Sequence, residues 1–378
     1  MMTETEYIIR ILQDFLRGEK TKIEDVNWER LRAIAHQQEL SAIVYRQTRN
    51  PLFEKAYLYQ VSRALRIENQ LRQLAGILED YEYFLMKGSC LKECYPLPEL
   101  RSMGDVDMVV HREDRQQIHR CLVEHGFSFQ ESWEEQWIYK KGDIIYEIHD
   151  RLVVSREGNP SHEEFAARVW DYVQNKELDW NYHFVYILTH LRKHLVGHGV
   201  GLRQFMDVAV LCRYKPELDW DWISRELDRM GMLAFAQRVF AFNERTFGVR
   251  APIGVEAMEE DFYQETLDRI FKDGVFGHDN PDPNHDEVAK LMRQQGLNTG
   301  AARRRVFLKM AFPPYDQLRK CGYLAYLNGH KFLLPLAWLH RAVYRLCDRQ
   351  HRQSLMEIVG VKEDTLQKQE ERLAKWGL

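Results

Sequence analysis

The sequence predicts an α+β fold: a small mixed β-sheet over about residues 81–155, a helical segment over 1–80 before it, and an all-helical region over 156–378 after it. Three observations predict it. Apolar residues recur at helical spacing through the first eighty positions. Between residues 82 and 149 the spacing drops to two, in short runs broken by Gly and Pro. From about residue 162 helical spacing returns and persists.

Ile8, Ile11, Leu12 and Phe15 mark the apolar face of a helix over 5–17. Asn27 is placed to cap a second helix, with Trp28, Leu31 and Ile34 inward. Leu58, Val61, Leu65, Leu71, Leu74 and Leu78 trace a long helix over about 53–80. Residues 82–87 read as the first strand and 89–94 as a short helix. Tyr95-Pro96-Leu97-Pro98 opens a loop by its prolines. Residues 105–110 are the second strand, and a helix over 112–125 ends at Gly126. Strands follow at Phe127–Trp133, at Trp137–Lys140 and, after the turn Lys141-Gly142-Asp143, at Ile144–His149.

Helical patterns then run near 163–175, 181–196, 201–213, 220–229 and 232–246. Asp279-Asn280-Pro281-Asp282-Pro283-Asn284 is a polar break that reads as a linker. Further helices are expected at 303–311, 315–328, 331–349 and 363–376.

A chain of 378 residues with 45% hydrophobic, 12% aromatic and 29% charged residues has ample core for two or three domains. The net charge of −4 argues against a dedicated nucleic-acid binder, whose footprint is basic. The acidic N-terminus lacks an apolar signal core, and the apolar runs are too short to span a bilayer. The six cysteines show no paired metal spacing, so reduced thiols and a cytoplasmic location are expected.

The chemistry concentrates in two places. Tyr83-Phe84-Leu85-Met86-Lys87 is a strand stopped by Gly88-Ser89. Fifteen residues later comes Gly104-Asp105-Val106-Asp107-Met108-Val109-Val110. Strand alternation puts Asp105 and Asp107 on one face and Val106, Met108 and Val110 on the other. Two carboxylates on one face repel, and a fold tolerates them when a divalent cation, usually Mg²⁺, sits between them. The alternative for an Asp-x-Asp is the solvated face of an edge strand. The preceding Gly-Ser turn weighs against it, because small residues let backbone N–H groups approach a phosphate.

This composite resembles the nucleotidyltransferase superfamily that includes DNA polymerase beta, and within it a bacterial family of uncharacterised nucleotidyltransferases. The matching residues are Met86-Lys87-Gly88, Tyr95-Pro96, Arg101 and Gly104-Asp105-Val106-Asp107, with Gly201-Leu202-Arg203 and Asp207 downstream. The long spacer before Asp105 is a departure. The resemblance implies that the sheet is a nucleotidyltransferase core, that Asp105 and Asp107 hold Mg²⁺ (or Mn²⁺), and that Gly88-Ser89 meets the β- and γ-phosphates of an NTP, with ATP expected.

The superfamily takes a third acid from a neighbouring strand. Glu147 in Ile144-Ile145-Tyr146-Glu147-Ile148-His149-Asp150 shares its face with Ile145 and His149, and it is expected to bind metal or take a proton. Asp150 is the reserve. The otherwise bland reading of Glu147 is a surface acid on an amphipathic strand. Arg101 could brace the triphosphate bidentately, and Lys87 could act similarly. Both could equally be solvated loop charges. His190, His194 and His198 stack along one helix face, with Arg192 and Lys193 beside them. A zinc site, a phosphate-facing helix and an ordinary hydrogen-bonded helix compete there. The resemblance, which places a His-rich helix beside the active site, favours phosphate contact by His190, Lys193 and His194, with His149 nearby. Arg203 and Asp207, four apart, are placed for a helical ion pair. Arg303-Arg304-Arg305 forms a basic cluster at an expected helix start.

The expected activity is transfer of a nucleoside monophosphate from NTP to an acceptor: a small molecule, a protein hydroxyl or an RNA end. A non-catalytic nucleotide sensor or interaction module on the same fold, or a phosphotransferase using the same metals, is the alternative.

Overall fold

The computed structural model describes residues 2–132, 136–152, 159–196, 199–275, 298–318, 322–327, 330–347 and 363–378. The chain divides into two units. The first holds Met1–Leu195, Gly199–Asp279 and Trp376–Leu378, and the second holds Val196–His198 and Asn280–Lys375. The expected linker at 279–284 lies outside the described residues.

The first unit opens with helices α1 (Glu4–Arg17), α2 (Trp28–Gln37), α3 (Ser41–Thr48) and α4 (Glu54–Ile77). Thr3 caps α1 reciprocally with Glu6, and the Asn27 side chain caps α2, so each start satisfies backbone N–H groups that have no intrahelical partner. In α4, Ile67 and Leu74 are buried, whereas Leu58 and Leu65 of the expected stripe are exposed.

Five strands follow: β1 (Tyr83–Met86), β2 (Asp105–Val110), β3 (Ser128–Ser132), β4 (Gln136–Lys141) and β5 (Ile144–His149). A short helix α5 (Gly88–Leu91) follows β1, and α6 (Arg115–Glu124) follows β2. The strand order is β1-β2-β5-β4-β3, with β2 and β5 parallel and the other neighbours antiparallel. One sheet face, with Val106, Met108, Val110, Ile144, Tyr146 and Ile148, packs with Ile67 and Leu74 of α4 and with Ile118 and Leu122 of α6. On the other face Phe84, Met86 and Val109 join the large helical core. Burying both faces is what a parallel β2–β5 pair requires.

Next come α7 (Pro160–Ala167), α8 (Trp180–Val196), α9 (Leu202–Tyr214), α10 (Trp220–Arg229), α11 (Leu233–Phe247) and α12 (Glu260–Asp273). The helix expected over 163–175 is corrected. α7 ends at Ala167, a 3-10 turn spans Val169–Tyr172, and strands β6 (Val173–Gln174) and β7 (Glu177–Leu178) form a hairpin. Asn175 and Lys176 both take positive φ, at 51° and 65°, as a two-residue hairpin turn demands.

The second unit contains α13 (Thr299–Ala311), α14 (Tyr315–Leu318), α15 (Leu334–Cys347) and α16 (Glu363–Lys375). Leu318, Leu324, Leu327 and Ala337 form its small core, and the Trp338 indole N–H donates to Pro313 O at 2.9 Å. The basic run Arg303–Arg305 lies within α13.

Candidate active site

β2 lies between β1 and β5, so Asp105 and Asp107 stand on an interior strand, and Asp107 is only 2% exposed. The register pairs Asp105 with Ile145, Asp107 with Glu147 and Val109 with His149. Paired residues on adjacent strands point to the same face, so Glu147 and His149 come to the Asp107 side of the sheet. His149 Nε2 is 3.1 Å from Asp107 Oδ1 and 3.7 Å from Glu147 Oε2.

The Lys87 ammonium donates to Asp107 Oδ1 at 2.6 Å. Burial raises the Asp107 carboxyl, but Lys87 and the His149 hydrogen bond outweigh it and hold Asp107 down at about 2. Burial pulls Lys87 down, and Asp107 more than reverses this, so the ammonium persists. Asp105 is raised by burial and by its neighbour Asp107. Glu147 is pushed up to about 7, first by burial and then by Asp107 and Asp105. Burial lowers His149, so its ring is neutral at pH 7. One ionised, one neutral and one near-neutral-pH group converge on one point, a pattern typical of catalytic sites.

The turn that delivers Lys87 is strained. Its backbone sits at φ 53°, ψ −127°, a region that L side chains rarely adopt. Its N–H donates to His183 Nε2 at 3.0 Å, and its ammonium is held by Asp107. Gly88 follows because nothing larger fits: a Cβ there would lie 2.2 Å from Arg101 Nη1. Ser89 Oγ is buried without a hydrogen-bond partner among the described residues.

Arg101 is buried behind this turn. Its Nε and Nη2 donate to the two oxygens of Asp207 at 3.2 and 2.8 Å, and Nη1 donates to Ser102 O. Tyr95 OH donates to Asp207 Oδ1 at 2.7 Å. The bidentate grip expected of Arg101 is therefore made on Asp207. The ion pair expected between Arg203 and Asp207 is also replaced. Arg203 donates to Glu39 and to the Ser102 carbonyl and hydroxyl. Spacing on one helix could not reveal that residues of the 95–102 loop would engage both of them. Gly201 of the same motif starts α9 where a Cβ would lie 2.5 Å from Val275 Cα.

α8 contributes its His183, Tyr186, His190 and Lys193 face, at offsets of three, seven and ten residues. His183 is lowered to about 4 by burial. Burial, then Lys87 and His194, hold His190 well below its ordinary value. His190 Nε2 and His194 Nε2 are 2.9 Å apart, so one donates and the other accepts. Lys193 is close enough to favour the ionised form of Glu147. His198 lies outside the described residues. Sequence reasoning missed His183 and Tyr186. The signal available was the helical offset of seven between His183 and His190. Asp150, the reserve acid, is committed to Arg115 at 2.6 Å and to Arg112 at 3.2 Å.

Arg63 of α4 sets the level of both acid-bearing strands. Its guanidinium donates to Gly104 O and to Asp143 O, the residues just before β2 and β5. Beside it opens a cavity of about 1070 Å³, lined among others by Ser102, by Gly104, which precedes Asp105, and by Ile145, its register partner.

Asp107, Glu147 and His149 offer ligand atoms that all lie within 4.8 Å of one another, the one such group that includes site residues among those described. Two carboxylates and a neutral imidazole suit a divalent cation. The Lys87 ammonium, held on the Asp107 oxygen, shows that the position favours positive charge.

A family model with the description "Uncharacterised nucleotidyltransferase" matches residues 24–248, more than half of the chain. The comparisons with curated proteins and with solved structures give no match. Among the described residues no helix is long and apolar enough to cross a membrane.

Proposed function

The chain belongs to the uncharacterised nucleotidyltransferase family, and from that premise we propose a metal-dependent enzyme that moves a nucleoside monophosphate from an NTP, taken here as ATP, to an acceptor. The observation that carries the proposal is the Asp107–Glu147 register pair, which joins the Asp-x-Asp strand to a third acid. Asp105, Asp107 and Glu147 would hold Mg²⁺ or Mn²⁺, with His149 at the same point. The cation would neutralise the triphosphate.

The residues divide the work. Glu147, on the strand beside the two aspartates, takes the proton from the attacking hydroxyl. The hydroxyl oxygen bonds to the α-phosphorus. The bond from that phosphorus to the bridging oxygen breaks, and pyrophosphate leaves with the electron pair. Gly88 and Ser89 receive the β- and γ-phosphates, with the unpartnered Ser89 hydroxyl as a donor. Lys87 and Lys193 supply positive charge at the phosphate chain, and His190 and His194 line it. Arg101 is a positioning residue: tied to Asp207, it braces the Gly88 turn.

The test is transfer from α-labelled and γ-labelled ATP to a panel of hydroxyl acceptors. Transfer of the α-label supports the proposal. Transfer of the γ-label makes the enzyme a phosphotransferase, and nucleotide binding without either transfer makes it a sensor.

A further inference from the structure

We propose that the cavity beside Asp105 is the subsite for the nucleoside of the triphosphate. The placement rests on the function proposed above. Ile145 is the register partner of Asp105 and points to the same face, and both Ile145 and Gly104 line the cavity. A triphosphate is a linear chain. With its terminal phosphates at Gly88-Ser89 beyond β1 and its α-phosphate at the β2 acids, the nucleoside continues past Asp105 toward the start of β5. Asp105, Asp107, Glu147 and Lys193 all lie outside the cavity lining, so the cavity adjoins the acids through Gly104 and Ile145 and leaves the acid face to the phosphates and the attacking hydroxyl.

The lining chemistry agrees. Arg32, Lys55 and Arg63 are balanced by Glu29, Glu39 and Asp143, so the cavity suits an uncharged group rather than a polyphosphate. Tyr59 is 58% exposed and Ile145 40% exposed, two apolar surfaces left open on a cavity wall. A nucleobase covers such surfaces by stacking and apolar contact. The volume of about 1070 Å³ accepts a whole nucleoside.

Calorimetry with α,β-methylene-ATP and with inorganic tripolyphosphate, both in Mn²⁺, separates nucleoside from phosphate contacts. Tyr59→Ala and the cavity-filling Ala33→Trp should each weaken the nucleotide analogue by about tenfold. Tripolyphosphate affinity should stay within about twofold of the unsubstituted protein, by the distance of these side chains from the phosphates. Both residues are exposed, so folding should persist. Equal analogue affinity in all three proteins overturns the subsite and leaves the cavity to the acceptor. If the unsubstituted protein binds neither ligand, the proposed function itself falls, and the subsite with it.

Discussion

The Lys87 ammonium lies 2.6 Å from Asp107 Oδ1, on the same oxygen that His149 Nε2 approaches to 3.1 Å. Asp107 is thus the centre of the site: a lysine from the strained end of β1 and a histidine two residues beyond its own register partner meet on one atom. Opposite charge is recruited there by the Lys87 ammonium. The arrangement explains why Asp107 is held near 2 while Glu147, 23% exposed on its side chain and flanked by two acids, is pushed to about 7.

Asp107→Asn should abolish transfer and also cost stability. It leaves the buried Lys87 ammonium without its partner, and breaking a buried pair on one side costs about 3–5 kcal/mol. Asp105→Ala should abolish transfer with little loss of stability, since it relieves repulsion. Urea unfolding beside transfer assays separates the two, and equal stability losses would contradict the central place of Asp107.

Glu147 should make stability depend on pH. Its folded value near 7 lies above its unfolded value, so the folded state holds the proton more tightly between the two. The contribution is fully present below the unfolded value and is lost as pH rises through about 7. Glu147→Gln should therefore be more stable than the natural protein at pH 8, by up to roughly 2–3 kcal/mol, and nearly equal at pH 4. Melting curves at the two pH values check this, and a gap that does not grow with pH removes the acid cluster as its cause.

Gly88→Ala should destabilise by roughly 1–3 kcal/mol. The new Cβ meets a guanidinium that Asp207 pins at 2.8 Å, so Arg101 cannot retreat without breaking that pair. Asp207→Asn should partly relieve the clash while costing stability of its own. A double-mutant cycle by denaturant unfolding measures the coupling, and strict additivity would show that Arg101 does not press on the turn.

Adding Mg²⁺ or Mn²⁺ should raise the melting temperature, because a cation that binds only the folded state adds about 2.7 kcal/mol at a hundredfold excess over its Kd. The gain should vanish in Asp107→Asn. An equal gain in that variant would locate the cation elsewhere.

The local order of elements was legible in the residues. Period-two runs marked the strands that carry Asp105, Asp107 and Glu147, and alternation placed Glu147 and His149 on one face, because side-chain direction in a strand is a property of the chain itself. The expected helix over 163–175 gives way to a hairpin, because apolar residues such as Val169, Trp170 and Tyr172 do not show that Asn175 and Lys176 take positive φ. What spacing could not supply was partnership across distance. Arg101 and Asp207 are 106 positions apart, and Lys87 and His183 are 96 apart. Only the folding of α8 and α9 against the sheet decides that Asp207 takes Arg101, that Arg203 turns to Glu39 and Ser102, and that His183 fixes the backbone of Lys87. The sequence by itself determined which acids share a strand face, since that follows from backbone geometry. The tertiary structure decided which charges neutralise them, since burial makes an unpaired charge too costly and the partner must come from wherever packing brings one.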